Sequence, residues 1–112
     1  MTDGAAMIND PMLRDLRSRF RETAFVRLSE MTSLLGQLSS DSPDVQSIER
    51  LARHFHGLAG MGATYGFPLV SSLGDEGEGM ILPLVKSGQS PDAGAVKRWQ
   101  AIVEEMRAEL SA

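Results

Sequence analysis

The sequence predicts an all-α protein that folds as an antiparallel up-down four-helix bundle. Apolar residues recur every three or four positions along most of the chain, which is the period of an amphipathic helix. Prolines that directly follow a helix-capping side chain divide the chain into segments of helix length. No alternation of apolar and polar residues is long enough to predict a strand. The predicted helices lie near 11–38, 43–65, 67–87 and 91–111.

Three capping pairs predict where helices begin. In each pair the side-chain oxygen can accept from free amides of the first turn, and the proline supplies a fixed φ. The three pairs are Asp10-Pro11, Ser42-Pro43 and Ser90-Pro91. Phe67-Pro68 is a weaker start that follows Gly66, a plausible stop for the preceding helix. The short turns between helices favour antiparallel neighbours.

The first helix shows the apolar period most clearly, and the third helix is the weakest. The stripe of the first helix is formed by Leu13, Leu16, Phe20, Ala24, Leu28, Met31, Leu35 and Leu38. In the third helix Gly74, Gly77 and Gly79 each cost about 1 kcal/mol relative to alanine, and Pro83 is predicted to kink or end it. We expect residues 1–9 to be a disordered tail and residues 10–112 to form the bundle.

Composition limits the function classes. A chain of 112 residues, 42% apolar, has enough core for one small domain. The net charge of −4 argues against binding nucleic acid through its phosphates. The absence of cysteine excludes disulfides, thiolate metal sites and cysteine nucleophiles. No basic segment precedes an apolar one at residues 1–10, and no apolar run reaches the roughly 18 residues of a membrane span. These features permit an intracellular protein and support neither export nor membrane insertion.

The two histidines, His54 and His56, both fall in the second helix. Residues two positions apart in a helix point in directions about 200° apart, so the two rings cannot hold one metal ion between them. Each histidine flanks the apolar stripe, so orientation alone does not separate them. The neighbouring residues distinguish the two histidines, because the face of His56 carries only small side chains, whereas His54 lies beside larger ones. Around His56 these are Ala52, Ala59, Gly60 and Ala63; around His54 they include Arg50, Leu51 and Leu58.

Three glycines follow the histidines within the same helix, where glycine is unfavourable. One interpretation is close packing of the second helix against a neighbour. The other is a cleared surface on which another macromolecule can approach an imidazole. The helical angles favour the cleared surface for Gly57 and Gly60, and packing for Gly62.

An exposed imidazole without a serine or cysteine partner is poorly suited to hydrolysis. A neutral imidazole nevertheless offers an unprotonated ring nitrogen near neutral pH. Phosphoryl transfer mostly requires positioning and charge neutralisation, which a partner with Mg²⁺ can supply. A surface histidine can therefore carry a phosphoryl group.

The segment His56-Gly57-Leu58-Ala59-Gly60, followed by a second glycine at Gly66, resembles the motif of the histidine-containing phosphotransfer (HPt) domain. The resemblance spans essentially the whole chain and implies a four-helix bundle with the histidine on the second helix. It also implies that His56 accepts a phosphoryl group through Nε2 from a receiver-domain aspartate and passes it to another receiver. The chain is then a cytoplasmic phosphocarrier and not an enzyme. It holds no cofactor of its own, and Mg²⁺ belongs to the partner receiver.

One position departs from the family pattern, because Ala59 stands where the family often has lysine. Arg53, three residues before His56, and Lys86 are the candidate replacement cations. The predicted partner-binding residues around the phosphoacceptor His56 are Arg53, Gly57, Ala59, Gly60 and Ala63. We interpret the acidic run Asp75, Glu76 and Glu78 of the third helix as a solvated face.

The resemblance implies response-regulator receiver domains and a hybrid sensor histidine kinase as partners, with the chain itself a monomer. Two alternatives stay open at this stage. The chain can be a helical adaptor that binds a receiver or kinase without being phosphorylated. It can also be the detached phosphoacceptor module of a chemotaxis-type histidine kinase.

Overall fold

A computed structural model describes residues 10–38 and 44–112. In that part of the chain, four α-helices and one short 3-10 helix are the only regular elements. These are α1 (Pro11–Leu38), α2 (Val45–Met61), the 3-10 helix (Ala63–Tyr65), α3 (Pro68–Ser87) and α4 (Ala93–Ser111). The predicted all-α bundle is confirmed. The predicted tail at 1–9 lies outside the described residues.

Each helix packs against its two neighbours in a closed ring, α1 on α2, α2 on α3, α3 on α4 and α4 on α1. Side-chain contacts give the direction of the first pair. The Ser47 hydroxyl near the start of α2 donates to Gln37 near the end of α1, and His54 farther along α2 contacts Arg27 farther back in α1. The two helices are therefore antiparallel, as short connections favour. Among the described residues, no helix has both the length and the apolarity needed to cross a bilayer.

The helix starts show which capping side chains take effect. Asp10 caps α1 as predicted, since its Oδ1 accepts from the Met12 amide at 2.9 Å. The predicted pair Ser42-Pro43 lies outside the described residues, and α2 begins at Val45 with Asp44 as its cap. The predicted start of the fourth helix at residue 91 is wrong.

The fourth helix begins two residues later because a second capping side chain follows the Ser90-Pro91 pair. Asp92 adopts an extended backbone, and its Oδ1 accepts from the Ala95 amide at 2.7 Å. A carboxylate accepts this hydrogen bond, and its negative charge also interacts favourably with the positive end of the helix dipole. The helix therefore starts at Ala93.

The predicted end of the second helix at residue 65 is also wrong, because the α-helix stops at Met61. A Cβ on Gly62 would lie 2.8 Å from the Ser71 amide nitrogen, so only glycine allows α3 this close. The Phe67 amide donates to the Gly62 carbonyl at 2.8 Å, which closes the turn. Gly66 has a φ of 88° and is the predicted stop, at the end of the 3-10 helix.

The third helix is continuous through Pro83, so the prediction that Pro83 ends it is wrong, and the alternative prediction of a kink there stays a prediction. Two of its glycines allow close packing against α2, and this packing stabilises the helix. Gly74 and Gly77 are buried against α2, where a Cβ on Gly74 would lie 2.7 Å from the Ala59 amide nitrogen and one on Gly77 would overlap the Phe55 ring. The absence of side chains lets α2 and α3 pack closely, and this packing offsets the poor helix propensity. This close contact fixes the register of α3 against α2.

Candidate functional site

The structure separates the two histidines of α2 by their exposure. The His56 side chain is 77% exposed, whereas the His54 side chain is 13% exposed. Only His56 can therefore be reached by another macromolecule without rearrangement of the bundle.

The His56 ring is held by a carboxylate of α3. Its Nδ1 lies 2.6 Å from Oε2 of Glu78, whose own side chain is 20% exposed. An ionised carboxylate can only accept, so we assign the hydrogen to Nδ1. In the neutral ring the lone pair then lies on Nε2. The nucleophilic nitrogen is therefore Nε2, which lies on the side of the ring away from Glu78.

Both ring nitrogens of His54 are occupied by residues of α1. Nδ1 lies 3.1 Å from Nη1 of Arg27, and Nε2 lies 2.9 Å from Oε2 of Glu30. An arginine can only donate, so Nδ1 accepts and Nε2–H donates to the carboxylate. Burial lowers the pKa of His54, and the nearby guanidinium groups lower it further. His54 is thus a neutral ring without a free lone pair.

The surface beside His56 is open at several of the predicted partner-binding positions. No heavy atom lies within 4 Å of a Cβ placed on Gly60, and both Gly60 and Ala63 are exposed. The Ala63 amide donates to Oγ of Ser71 at 2.6 Å, which fixes the backbone there. Arg53 is exposed, and among the described residues its side chain has no hydrogen bond or ion pair. A partner can therefore approach over this end of α2.

Gly57 is not part of that open surface, which corrects the interpretation from helical angles. A Cβ on Gly57 would lie 2.9 Å from Cζ of Arg27. The helical wheel of α2 alone omits the long side chain that reaches over from α1. Gly62, by contrast, packs against α3 as predicted.

Ala59 faces α3 and is half-buried, with Gly74 directly opposite. No lysine stands at this position, and the alternative cation Lys86 is in the last turn of α3. Lys86 follows Glu78 by eight residues, which is about 12 Å along a helix. The arginines of α1 and α2 are closer to the site, because Arg27 and Arg53 line the same groove as His56.

Sequence reasoning interpreted Glu78 as part of a solvated face and gave Arg27 no role at the site, whereas Glu78 contacts His56 and Arg27 lies over Gly57. The period of α3 predicts a helix, but it does not predict which of three acidic residues meets α2. That choice depends on the register set by Gly74 and Gly77. No group of three or more histidine, aspartate or glutamate side chains converges to hold a metal ion within 10–38 and 44–112.

Comparison with protein families gives a match to the chain. The family model described as the Hpt domain matches residues 15–111, which is essentially the whole chain. Comparison with curated proteins and with solved structures gave no match. The helices, the exposed histidine on the second of them and the family match agree. The chain belongs to the Hpt domain family, the histidine phosphotransfer modules of two-component signalling.

Proposed function

We propose that this protein is a phosphorelay intermediate in which His56 receives a phosphoryl group from the aspartate of one receiver domain and passes it to another receiver. The observation that supports this most strongly is the pairing of an exposed His56 ring with Glu78 through Nδ1. It leaves Nε2 as the nucleophile and turns that atom away from α3.

The transfer step follows from this tautomer. The Nε2 lone pair attacks phosphorus, a P–N bond forms, and the P–O bond to the receiver aspartate breaks, which leaves a free carboxylate. No proton has to leave Nε2, because the hydrogen is on Nδ1. The phosphorylated ring carries a positive charge, which the Glu78 carboxylate stabilises through the same hydrogen bond. Onward transfer reverses each bond change on a second receiver.

The partner supplies the remaining groups in this proposal. The receiver contributes the acidic residues and the Mg²⁺ that neutralises the phosphoryl oxygens. This chain contributes a nucleophile and a surface with little steric hindrance at Gly60 and Ala63. Arg53 contributes an exposed cation three residues before His56. The protein acts as a monomer in the cytoplasm, with receivers and a hybrid sensor histidine kinase as partners.

A transfer assay with two receivers tests the proposal. The purified chain is mixed with one phosphorylated receiver and Mg²⁺, freed of the donor, and then offered a second receiver. We expect base-stable, acid-labile phosphate on the chain and its subsequent loss to the second receiver. Binding of receivers without any label would support an adaptor instead. Labelling only by a kinase domain with ATP would support the phosphoacceptor module of a chemotaxis-type kinase.

A further inference from the structure

We infer that Arg27 is a second cation of the phosphotransfer site and that His54 and Glu30 are positioning residues that hold it there. The inference rests on the proposed function of His56. It assigns a role to a residue of α1 that the sequence motif on α2 does not include, and it gives the partly buried His54 a part in the transfer.

The guanidinium of Arg27 lies against the backbone of α2 one residue after His56. A Cβ on Gly57 would lie 2.9 Å from Cζ and 3.0 Å from each terminal nitrogen of Arg27. Nearly equal distances mean that the guanidinium covers Gly57 with its face. Since consecutive Cα atoms are 3.8 Å apart, the guanidinium carbon is within about 8 Å of the His56 Cα. Arg27 also lines the same groove as His56, so its charge can act on a phosphoryl group carried by the His56 ring.

A short chain of hydrogen bonds restrains Arg27 in this position. Its Nη1 donates to Nδ1 of His54 at 3.1 Å, and Nε2–H of His54 donates to Glu30 at 2.9 Å. Glu30 also pairs with Arg50, so its carboxylate is held from two sides. Because the Nε2–H group donates to Glu30, the neutral ring has its lone pair on Nδ1. Nδ1 can therefore accept a hydrogen bond from Arg27. The guanidinium is therefore ordered before a partner arrives.

Preorganisation distinguishes Arg27 from the other candidate cation. Arg53 is exposed and unrestrained, so placing its charge costs side-chain entropy. Arg27 is half-buried and already fixed, which makes its charge more effective at the moment of transfer. It lies on the α1 side of α2, whereas Glu78 lies on the α3 side. A phosphoryl group on Nε2 thus has a fixed cation available on the side away from the carboxylate.

The test compares matched arginine variants of α1 in transfer from a phosphorylated receiver. Arg27→Gln removes the inferred cation, and Arg14→Gln removes the same charge from the same helix, about 20 Å away along its axis. Arg27→Lys keeps the charge. Initial rates are measured at about 50 mM and 500 mM salt, where screening differs strongly. Circular dichroism and thermal unfolding confirm that each variant is folded.

We expect Arg27→Gln to lower the rate by roughly five-fold at low salt and by less than two-fold at high salt. Arg27→Lys should keep most of the rate, and Arg14→Gln should stay within about two-fold of the wild type. His54→Ala should lower the rate, and it should add little to Arg27→Gln in the double variant, because both act through one guanidinium.

Two failures have different meanings. Arg27→Gln and Arg14→Gln could give equal transfer rates on a chain that is labelled, or the rate loss in Arg27→Gln could be the same at low and high salt. Either result would overturn the role of Arg27 and leave the proposed function of His56 intact. Absence of base-stable label on the wild-type chain would overturn the proposed function of His56 and this inference with it.

Discussion

Glu78 of α3 and His56 of α2 share a hydrogen bond of 2.6 Å between Oε2 and Nδ1. The bond fixes the ring orientation and the tautomer at once, much as an outer carboxylate orients a metal-bound or catalytic histidine. Glu78→Ala should therefore lower the initial rate of receiver-dependent labelling by about ten-fold while His56 remains the labelled residue. Glu78→Gln should lower this rate less than Glu78→Ala does, since an amide oxygen can still accept a hydrogen bond from Nδ1.

The control for Glu78 is Asp75→Ala, which removes an exposed carboxylate from the same helix. The Asp75 side chain has no hydrogen bond or ion pair within the described chain. Rates that fall equally in Asp75→Ala and Glu78→Ala would show that net charge matters and that the ring orientation does not.

Gly60 tests whether open surface beside His56 is needed. Gly60→Gln places a long side chain where a Cβ meets no atom within 4 Å, so the bundle should fold normally. Transfer from a receiver should nevertheless drop by at least ten-fold, because the side chain obstructs the approach to Nε2. Gly36→Gln is the matched control, since Gly36 is also helical and open but lies near the far end of α1. Full transfer by Gly60→Gln would refute the cleared-surface interpretation.

Gly74 tests the close contact that sets the register of α3. Gly74→Ala would put a Cβ 2.7 Å from a backbone nitrogen of α2, and backbone atoms cannot move aside cheaply. We expect a loss of about 1–3 kcal/mol in the free energy of unfolding. Gly79→Ala, with no atom within 4 Å, should instead gain up to about 1 kcal/mol from helix propensity.

Urea unfolding followed by the fluorescence of the buried Trp99 measures both changes. If Gly74→Ala proves as stable as Gly79→Ala, then α2 and α3 do not approach as closely as described.

His54 gives a pH dependence of stability with a definite sign. Burial, followed by the charges of Arg27, Arg50 and Arg53, lowers the pKa of His54 below its usual value of 6.5. The unfolded chain therefore binds a proton at a higher pH than the folded chain. The stability contributed by neutral His54 is complete above 6.5 and is lost as pH falls through the lowered pKa of the folded state.

Unfolding free energies measured between pH 7.5 and about 5 should thus decline, and His54→Gln should flatten that decline because it removes the titrating ring. An undiminished decline in His54→Gln would assign the pH dependence to other groups.

The sequence predicted the elements that depend on local signals. The apolar period predicted all four helices, Asp10 predicted the start of α1, and Gly66 predicted a left-handed stop. The errors occurred where two local signals competed. Asp92 caps α4 instead of Ser90, and Pro83 is tolerated within α3 because the helix is packed against neighbours along its length.

The candidate site was predictable only as far as one helix determines it. Spacing within α2 predicted an accessible His56 and an open Gly60, and both residues are exposed in the structure, while their role in transfer stays a prediction. Glu78 and Arg27 come from other helices, so their contacts depend on how α1 and α3 are placed against α2. The period of a helix gives its buried face and does not give its axial register against a neighbour. The same limitation explains why Gly57 was assigned to the open surface.

The most direct measurement is the site of phosphate on the chain. Wild type, His56→Gln and His54→Gln are incubated with a phosphorylated receiver and Mg²⁺, and base-stable phosphate is quantified and mapped by mass spectrometry. The wild type and His54→Gln should both carry one phosphoryl group on His56, and His56→Gln should carry none while it remains folded. Undiminished labelling of His56→Gln, or label mapped to His54, would contradict the central claim.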